Sequence, residues 1–92
     1  MQSAQPAVKM SVSHAIALHL STTPLMTGIG ERVDIITREV RRVLKNPLLT
    51  AKEVRDIIVS WAAKGWIKLT GNYALPTPGG AEMIAAIAAR AA

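Results

Sequence analysis

The segment of residues 50–80 constrains the fold most, because the spacing of its apolar residues changes midway. Up to Gly65, apolar residues recur every three or four positions, which is the period of one face of a helix. After Gly65, apolar and polar residues alternate on both sides of Gly71 and Asn72, a pair suited to a two-residue hairpin turn. The segment therefore predicts a helix that is followed by a β-hairpin.

Residues that begin and end helices stand at suitable places in the same segment. Thr50 and Glu53 have the spacing of a capping box, in which each side chain accepts a hydrogen bond from the other residue's backbone N–H. Gly65 suits the left-handed residue that ends many helices. Thr77 followed by Pro78 predicts the start of a last helix, because the missing N–H of proline costs nothing at the first helical position.

The clearest amphipathic helix is predicted upstream of this segment, over residues 30–45. Asn46 and Pro47 end it, because proline disfavours helical geometry in the residue before it. Most of the basic residues of this helix fall away from its apolar face. The apolar face consists of Val33, Ile36, Val40, Val43 and Leu44.

A first helix is predicted near the start of the chain, with Ser11 or Ser13 as its cap. Its apolar residues recur at every fourth position, and they are Val12, Ile16 and Leu20. The proline and glycine residues that follow predict a connection, with a short extended piece around Leu25 and Met26. Residues 1–10 show no period and predict a disordered lead-in to one domain that spans residues 11–92.

Composition narrows the class of protein. A chain of 92 residues supports one hydrophobic core, and the absence of cysteine excludes disulfides and thiolate metal sites. No stretch has the run of apolar residues needed for a signal peptide or a membrane span, so we expect a cytoplasmic protein. The formal net charge of +5 favours polyanionic partners.

The residues do not form a pattern typical of catalysis or of a cofactor site. The two histidines, His14 and His19, lie five positions apart on the predicted first helix and do not share a face. They have neither the spacing of a zinc pair nor a nucleophile nearby in the sequence. We therefore expect no enzyme activity, no metal and no cofactor.

The order of the predicted elements is helix, connection, helix, tight turn, helix, hairpin, helix. The run TAKEVRDIIVSWAAKGWIKLTGNYALPTPGG, which begins at Thr50, resembles the second half of winged-helix regulators of the MarR and PadR kind. Two short sequence patterns carry the resemblance. The pattern at the end of the recognition helix corresponds to Trp61, Gly65 and Ile67, and the pattern in the second strand of the wing corresponds to Tyr73, Leu75 and Thr77.

The resemblance implies an α+β, mainly helical domain, a winged helix-turn-helix with a two-stranded β-hairpin wing and a C-terminal helix. It also implies a sequence-specific double-stranded DNA-binding protein, a transcriptional regulator that acts as a repressor. A homodimer is expected through the first and C-terminal helices, because a small domain seldom needs both for its own core. The alternatives are a winged-helix module that binds a protein, and a replication or partition factor of a mobile element.

In such a domain the recognition helix lies in the major groove, while basic residues around it hold phosphates. The base-reading residues are expected to be Thr50, Lys52 and Arg55, with Asp56 and Val59 next to them. Phosphate contacts are expected from the preceding helix and from the wing, through Arg38, Arg41, Arg42, Lys45, Lys68, Thr70 and Asn72. Because the wing is short, we expect the helices to make most of the contact.

Simpler roles are open for several of these residues. Exposed basic side chains commonly pair with acids four positions away on a helix, and two such pairs are predicted, Asp34 with Arg38 and Lys52 with Asp56. Trp61 is expected in the core. Trp66 is expected in the core or at a subunit interface.

Overall fold

A computed structural model describes residues 10–22 and 30–90 of the chain. This part of the protein is α+β and mainly helical, with four helices and a three-stranded antiparallel sheet. In chain order the elements are α1 (Val12–Thr22), β1 (Glu31–Arg32), α2 (Val33–Leu44), α3 (Ala51–Ala63), β2 (Ile67–Thr70), β3 (Tyr73–Pro76) and α4 (Pro78–Ala89).

Helix α3 begins and ends where its sequence predicts. The Glu53 backbone N–H donates to the Thr50 hydroxyl across 3.2 Å, and the Thr50 N–H donates to the Glu53 carboxylate across 2.8 Å. This is the reciprocal capping box. Gly65 follows the helix with a φ of +80°, a left-handed conformation that glycine adopts at little cost. Both predicted ends are therefore confirmed.

The predicted caps of α1 and α4 are also confirmed. The Ser11 hydroxyl accepts a hydrogen bond from the His14 N–H across 3.0 Å. The Thr77 hydroxyl accepts one from the Gly80 N–H across 2.9 Å, and Pro78 is the first residue of α4. Gly80 also lies directly against the backbone of Trp66, where a Cβ would overlap the carbonyl group.

Strands β2 and β3 form the predicted hairpin. Thr70 is paired with Tyr73, so the loop between the strands has the two residues Gly71 and Asn72. Gly71 has a φ of +60°, whereas Asn72 does not have a positive φ. A positive φ at the first loop residue alone is typical of a type II′ turn, which matches the twist of the two strands.

The sheet has one strand more than the predicted hairpin. Strand β1 pairs antiparallel with β3, so the strand order is β1-β3-β2. Helix α2 consequently begins at Val33 instead of at Gly30. Gly30 has a φ of +89° and lies so close to the Ala74 backbone that a Cβ would overlap it. This close approach places Glu31 and Arg32 beside β3 instead of in the first turn of a helix.

One core holds the helices and the sheet together. Helix α1 packs against both α4 and α2, and α3 packs against β2. The largest fully buried side chains are Ile16, Ile36, Ile58, Ile84, Val40 and Val54, which come from all four helices. Thr37 is the buried polar residue in the described part, and its hydroxyl donates to the Val33 carbonyl across 2.8 Å. Its buried polar group is therefore satisfied.

Two predictions fall on parts of the chain that lie outside the described residues. These are the disordered lead-in, except for Met10, and the extended piece around Leu25 and Met26. Within the described residues, every helix is too short or too polar to cross a bilayer.

Candidate nucleic-acid interface

Four basic side chains line one shallow depression on the surface at the α2 end of the turn between α2 and α3. Together with Pro47 they form what we call the basic depression, and they are Arg38, Arg41, Arg42 and Lys45. Spacings of three and four residues bring them to one side of α2, because residues three or four apart are neighbours on a helix. The phosphate-binding residues predicted on α2 are thus brought together.

Arg41 connects this depression to the start of α3. Its Nε donates to the Leu49 carbonyl oxygen across 2.6 Å, and Leu49 is buried next to the N-cap residue Thr50. Because a charged donor makes a stronger hydrogen bond than a neutral one, this contact holds the turn against α2. Arg41 therefore has a structural role that its sequence position did not predict.

The other three side chains of the depression project into solvent. Arg38 and Arg42 leave about 72% and 71% of their side chains exposed, and both lie near the same carboxylate, that of Glu39. The Arg42–Glu39 pair is close at 3.0 Å, whereas the Arg38–Glu39 pair spans 3.9 Å. Lys45 has no acidic group within 4.0 Å in the described part of the chain. The depression therefore keeps a positive net charge.

Lys45 also ends α2. It has a φ of +52°, and its N–H donates to the Arg42 carbonyl. The next residue, Asn46, donates its N–H to the Arg41 carbonyl across 3.0 Å. These contacts satisfy backbone groups that a helix end leaves without partners, and they direct the chain into the turn.

The predicted base-reading residues of α3 are engaged within the protein. The Thr50 hydroxyl accepts from the Glu53 N–H and also donates to the Glu53 carboxylate across 3.1 Å. Lys52 donates to the Asp56 carboxylate across 2.8 Å, which confirms this predicted pair. That hydrogen bond, together with the negative charge of Asp56, raises the pKa of the Lys52 ammonium above its ordinary 10.5. Both side chains of the pair are exposed.

The other predicted pair is wrong. Asp34 pairs with Arg32 across 2.9 Å instead of with Arg38. Arg32 stands in β1 directly before α2, and this position brings its guanidinium to the first turn of the helix, where Asp34 lies.

Arg55 joins α3 to the hairpin. Its guanidinium donates to the Asn72 side-chain oxygen across 3.0 Å and to the Gly71 carbonyl across 3.2 Å. The Asn72 carbonyl in turn accepts from the Val33 N–H across 2.7 Å. The start of α2, the outer side of α3 and the hairpin turn therefore form one connected surface.

The remaining predicted residues lie on exposed parts of the same elements. Lys68 and Thr70 occupy the solvent side of β2, two residues apart as a strand requires. Val59 lies on α3 with 45% of its area exposed. Leu48, in the turn before α3, is 85% exposed and was not singled out from the sequence. A leucine directly after proline in a turn was the only signal available.

Helices α1 and α4 differ in how much of their surface is buried. Ala15, Ile16, Ala17 and Leu20 of α1 are all buried within this single chain. Helix α1 is therefore used in the core of this chain, and the homodimer stays a prediction. Helix α4 buries only Gly80 and Ile84, and most of its other residues are exposed or partly exposed.

The two tryptophans lie near each other at the far end of α3. Trp61 is buried, as predicted, and its ring centroid is 6.1 Å from that of the partly buried Trp66. The Lys64 ammonium lies 4.7 Å from the Trp66 ring centroid, within the range of a cation–π contact. Trp66 packs against the core, which is one of its two predicted places.

The arrangement as a whole suits anion binding. Within residues 10–22 and 30–90, no three His, Cys, Asp or Glu side chains come together in a way that could hold a metal ion. His19 lies 3.8 Å from Glu31, a contact that joins α1 to β1. No protein-family model, no curated protein and no solved structure matches the chain.

Proposed function

We propose that the protein is a winged helix-turn-helix domain that binds double-stranded DNA and acts in the cytoplasm as a transcriptional repressor. The observation that carries the proposal is the basic depression beside the N-terminus of α3. Guanidinium groups bind phosphate oxygens through paired hydrogen bonds, and Arg38 and Arg42 present two of them in solvent. In this proposal the depression holds the DNA backbone and so directs α3 into the adjacent major groove.

Helix α3 and the hairpin then supply the remaining contacts. The exposed side of α3 carries Lys52, Asp56 and Val59, which would meet base edges. Lys52 and Asp56 would each give up the hydrogen bond between them in order to contact a base. Lys68 and Thr70 would reach phosphates beside the groove. Arg55 fixes the hairpin relative to α3, so both would approach the duplex as a unit.

A homodimer would match a palindromic operator by its two-fold symmetry. Because the apolar residues of α1 are buried in the core of the chain, the dimer contact is proposed mainly through the exposed face of α4. An α4 interface would leave the basic depression open to DNA on both subunits.

The test is the affinity for a fluorescein-labelled duplex of mixed sequence, measured by anisotropy at several salt concentrations. Each phosphate contact contributes about 0.9 to the slope of log affinity against log salt. The triple variant R38Q/R42Q/K45Q should lower this slope by about two to three and weaken binding at least about tenfold.

The control is K64Q, which removes an exposed charge directly after α3, outside both the basic depression and α4. This variant should keep most of the affinity and nearly the full slope. A wild-type dissociation constant that stays above about 100 μM at low salt contradicts the proposal, as does an affinity that does not change with salt.

A second candidate function is the binding of an acidic protein, which the exposed apolar residues Val59 and Leu48 favour. The same salt titration distinguishes DNA binding from the binding of an acidic protein. A protein-binding module would show no salt-dependent duplex affinity, whereas a replication or partition factor would share the DNA affinity and differ only in its target site.

A further inference from the structure

Leu48 stands apart from the other exposed apolar residues. It leaves 85% of its area in solvent, whereas the other four large hydrophobic residues that are exposed in the described chain leave between 40% and 46%. Those four are Val43, Val59, Tyr73 and Met83. Single exposed apolar residues are common on protein surfaces, and Leu48 is distinguished from them by its nearly complete exposure and by its place in the turn that carries Pro47 of the basic depression.

The backbone around Leu48 is held in place. The Leu48 N–H donates to the Asn46 side-chain oxygen across 3.2 Å, and the Leu49 N–H donates to the Asn46 carbonyl across 3.3 Å. Leu49 is itself buried and accepts the hydrogen bond of Arg41. The backbone of the turn is thus anchored on both sides of Leu48. A backbone that is already ordered loses little conformational entropy on binding.

The surroundings of Leu48 indicate the chemistry of the partner. Pro47, its neighbour, lines the basic depression, and Thr50, two residues later, is the N-cap of α3. An anionic partner with an apolar group at a short distance from its charges would be complementary to this region. Double-stranded DNA has such a group, because the C5-methyl of thymine lies in the major groove between the phosphate backbones.

We propose that Leu48 contacts a thymine methyl group at the edge of the major groove, beside the phosphates held by the basic depression. The inference rests on the proposed DNA binding. It adds an apolar, sequence-reading contact next to the basic depression, and it places that contact in the turn before α3 instead of on α3 itself.

The test begins with selection of preferred duplexes from a randomised pool by the wild type and by Leu48→Ala. The wild-type consensus should contain a thymine position that the variant no longer selects. On the wild-type consensus duplex, Leu48→Ala should bind about fivefold more weakly with an unchanged salt slope, because the lost contact carries no charge. Val43→Ala, which truncates an exposed apolar residue of α2 that does not line the basic depression, is the control and should bind as the wild type does.

Replacement of that thymine by deoxyuridine removes only the methyl group. It should weaken wild-type binding about fourfold and leave the affinity of Leu48→Ala nearly unchanged, since the two losses concern one contact. Equal effects of deoxyuridine on both proteins would overturn the inference, as would an unchanged consensus for Leu48→Ala. Absence of duplex binding by the wild type would instead contradict the proposed function. The unfolding midpoint of Leu48→Ala should match that of the wild type, which separates contact loss from misfolding.

Discussion

The basic depression on α2 and the surface formed by α3 and the hairpin differ in how many of their basic groups form hydrogen bonds within the protein. Arg38 and Arg42 share a single carboxylate, and Lys45 has no acidic neighbour within 4.0 Å among the described residues. On α3, by contrast, Lys52 is bound by Asp56, and Arg55 is bound by the hairpin turn. A count of basic residues treats both regions alike, whereas their hydrogen bonds differ, and this difference is why we propose α2 as the site of phosphate contact.

Among the described residues of the basic depression, only Arg41 donates to a backbone carbonyl of the turn, so its replacement should have the largest effect on stability. Arg41→Met keeps the aliphatic stem and removes the donor to the Leu49 carbonyl. The free energy of unfolding should fall by about 1–3 kcal/mol, because a partly buried carbonyl loses its partner. Urea unfolding measures this change. Arg38→Met is the control and should stay within about 0.5 kcal/mol of the wild type. Equal losses in the two variants would show that Arg41 is no more structural than its neighbours.

The second prediction concerns Thr50, which belongs to the surface of α3. Thr50→Ala removes both hydroxyl contacts with Glu53 and should lower the free energy of unfolding by about 1 kcal/mol. Thr50→Ser keeps a capping hydroxyl and should retain most of the stability. Because the hydroxyl is uncharged, the salt slope of duplex binding should be unchanged in both variants, and because it bonds within the protein, the base preferences should be unchanged as well. A selective loss of one base preference in Thr50→Ala would instead make Thr50 a base contact.

The smallest expected effect is that of the exposed Lys52–Asp56 pair, and it depends on pH. The pKa of Lys52 is higher in the folded chain than its ordinary 10.5 because the Asp56 carboxylate stabilises the ammonium. The contribution to stability is therefore fully present below pH 10.5 and is lost as the pH rises through the raised pKa.

Urea unfolding of the wild type and of Asp56→Asn at neutral pH and above the raised pKa tests this dependence. The small difference between the two proteins should disappear at high pH. It should persist there in a Lys52→Arg background, because arginine keeps its charge. A difference that does not depend on pH would assign the effect of Asp56 to something other than its bond with Lys52.

The sequence predicted both ends of α3, the starts of α1 and α4 and the hairpin turn because their signals are local. The capping box needs only Thr50 and Glu53, three residues apart, and the tight turn needs only the freedom of Gly71 to take a positive φ. It also predicted the basic side of α2, because the helical period alone brings residues three and four apart together.

Contacts between residues far apart in the chain were not predicted from the sequence. Glu31 and Arg32 carry no strand signal of their own, and they leave the helix because Ala74 and Tyr73 of β3 lie beside them. The bonds of Arg55 to the hairpin and of Arg41 to Leu49 have the same origin. Neither could be predicted from residues a few positions away. The pair of Asp34 with Arg38 was expected from spacing alone, and Arg32 supplied a nearer partner.

For the segment of residues 50–80, the sequence by itself determined a capped helix, a hairpin and a second capped helix, because each is encoded by residues close together in the chain. Only the tertiary structure decided that the hairpin gains a third strand and that Arg55 joins α3 to its turn. It also decided that the guanidinium groups of Arg38 and Arg42 on α2, beside the start of α3, are exposed to solvent. The physical reason is that a side chain's availability depends on which groups the fold brings within hydrogen-bonding distance, and spacing along the chain does not specify those groups.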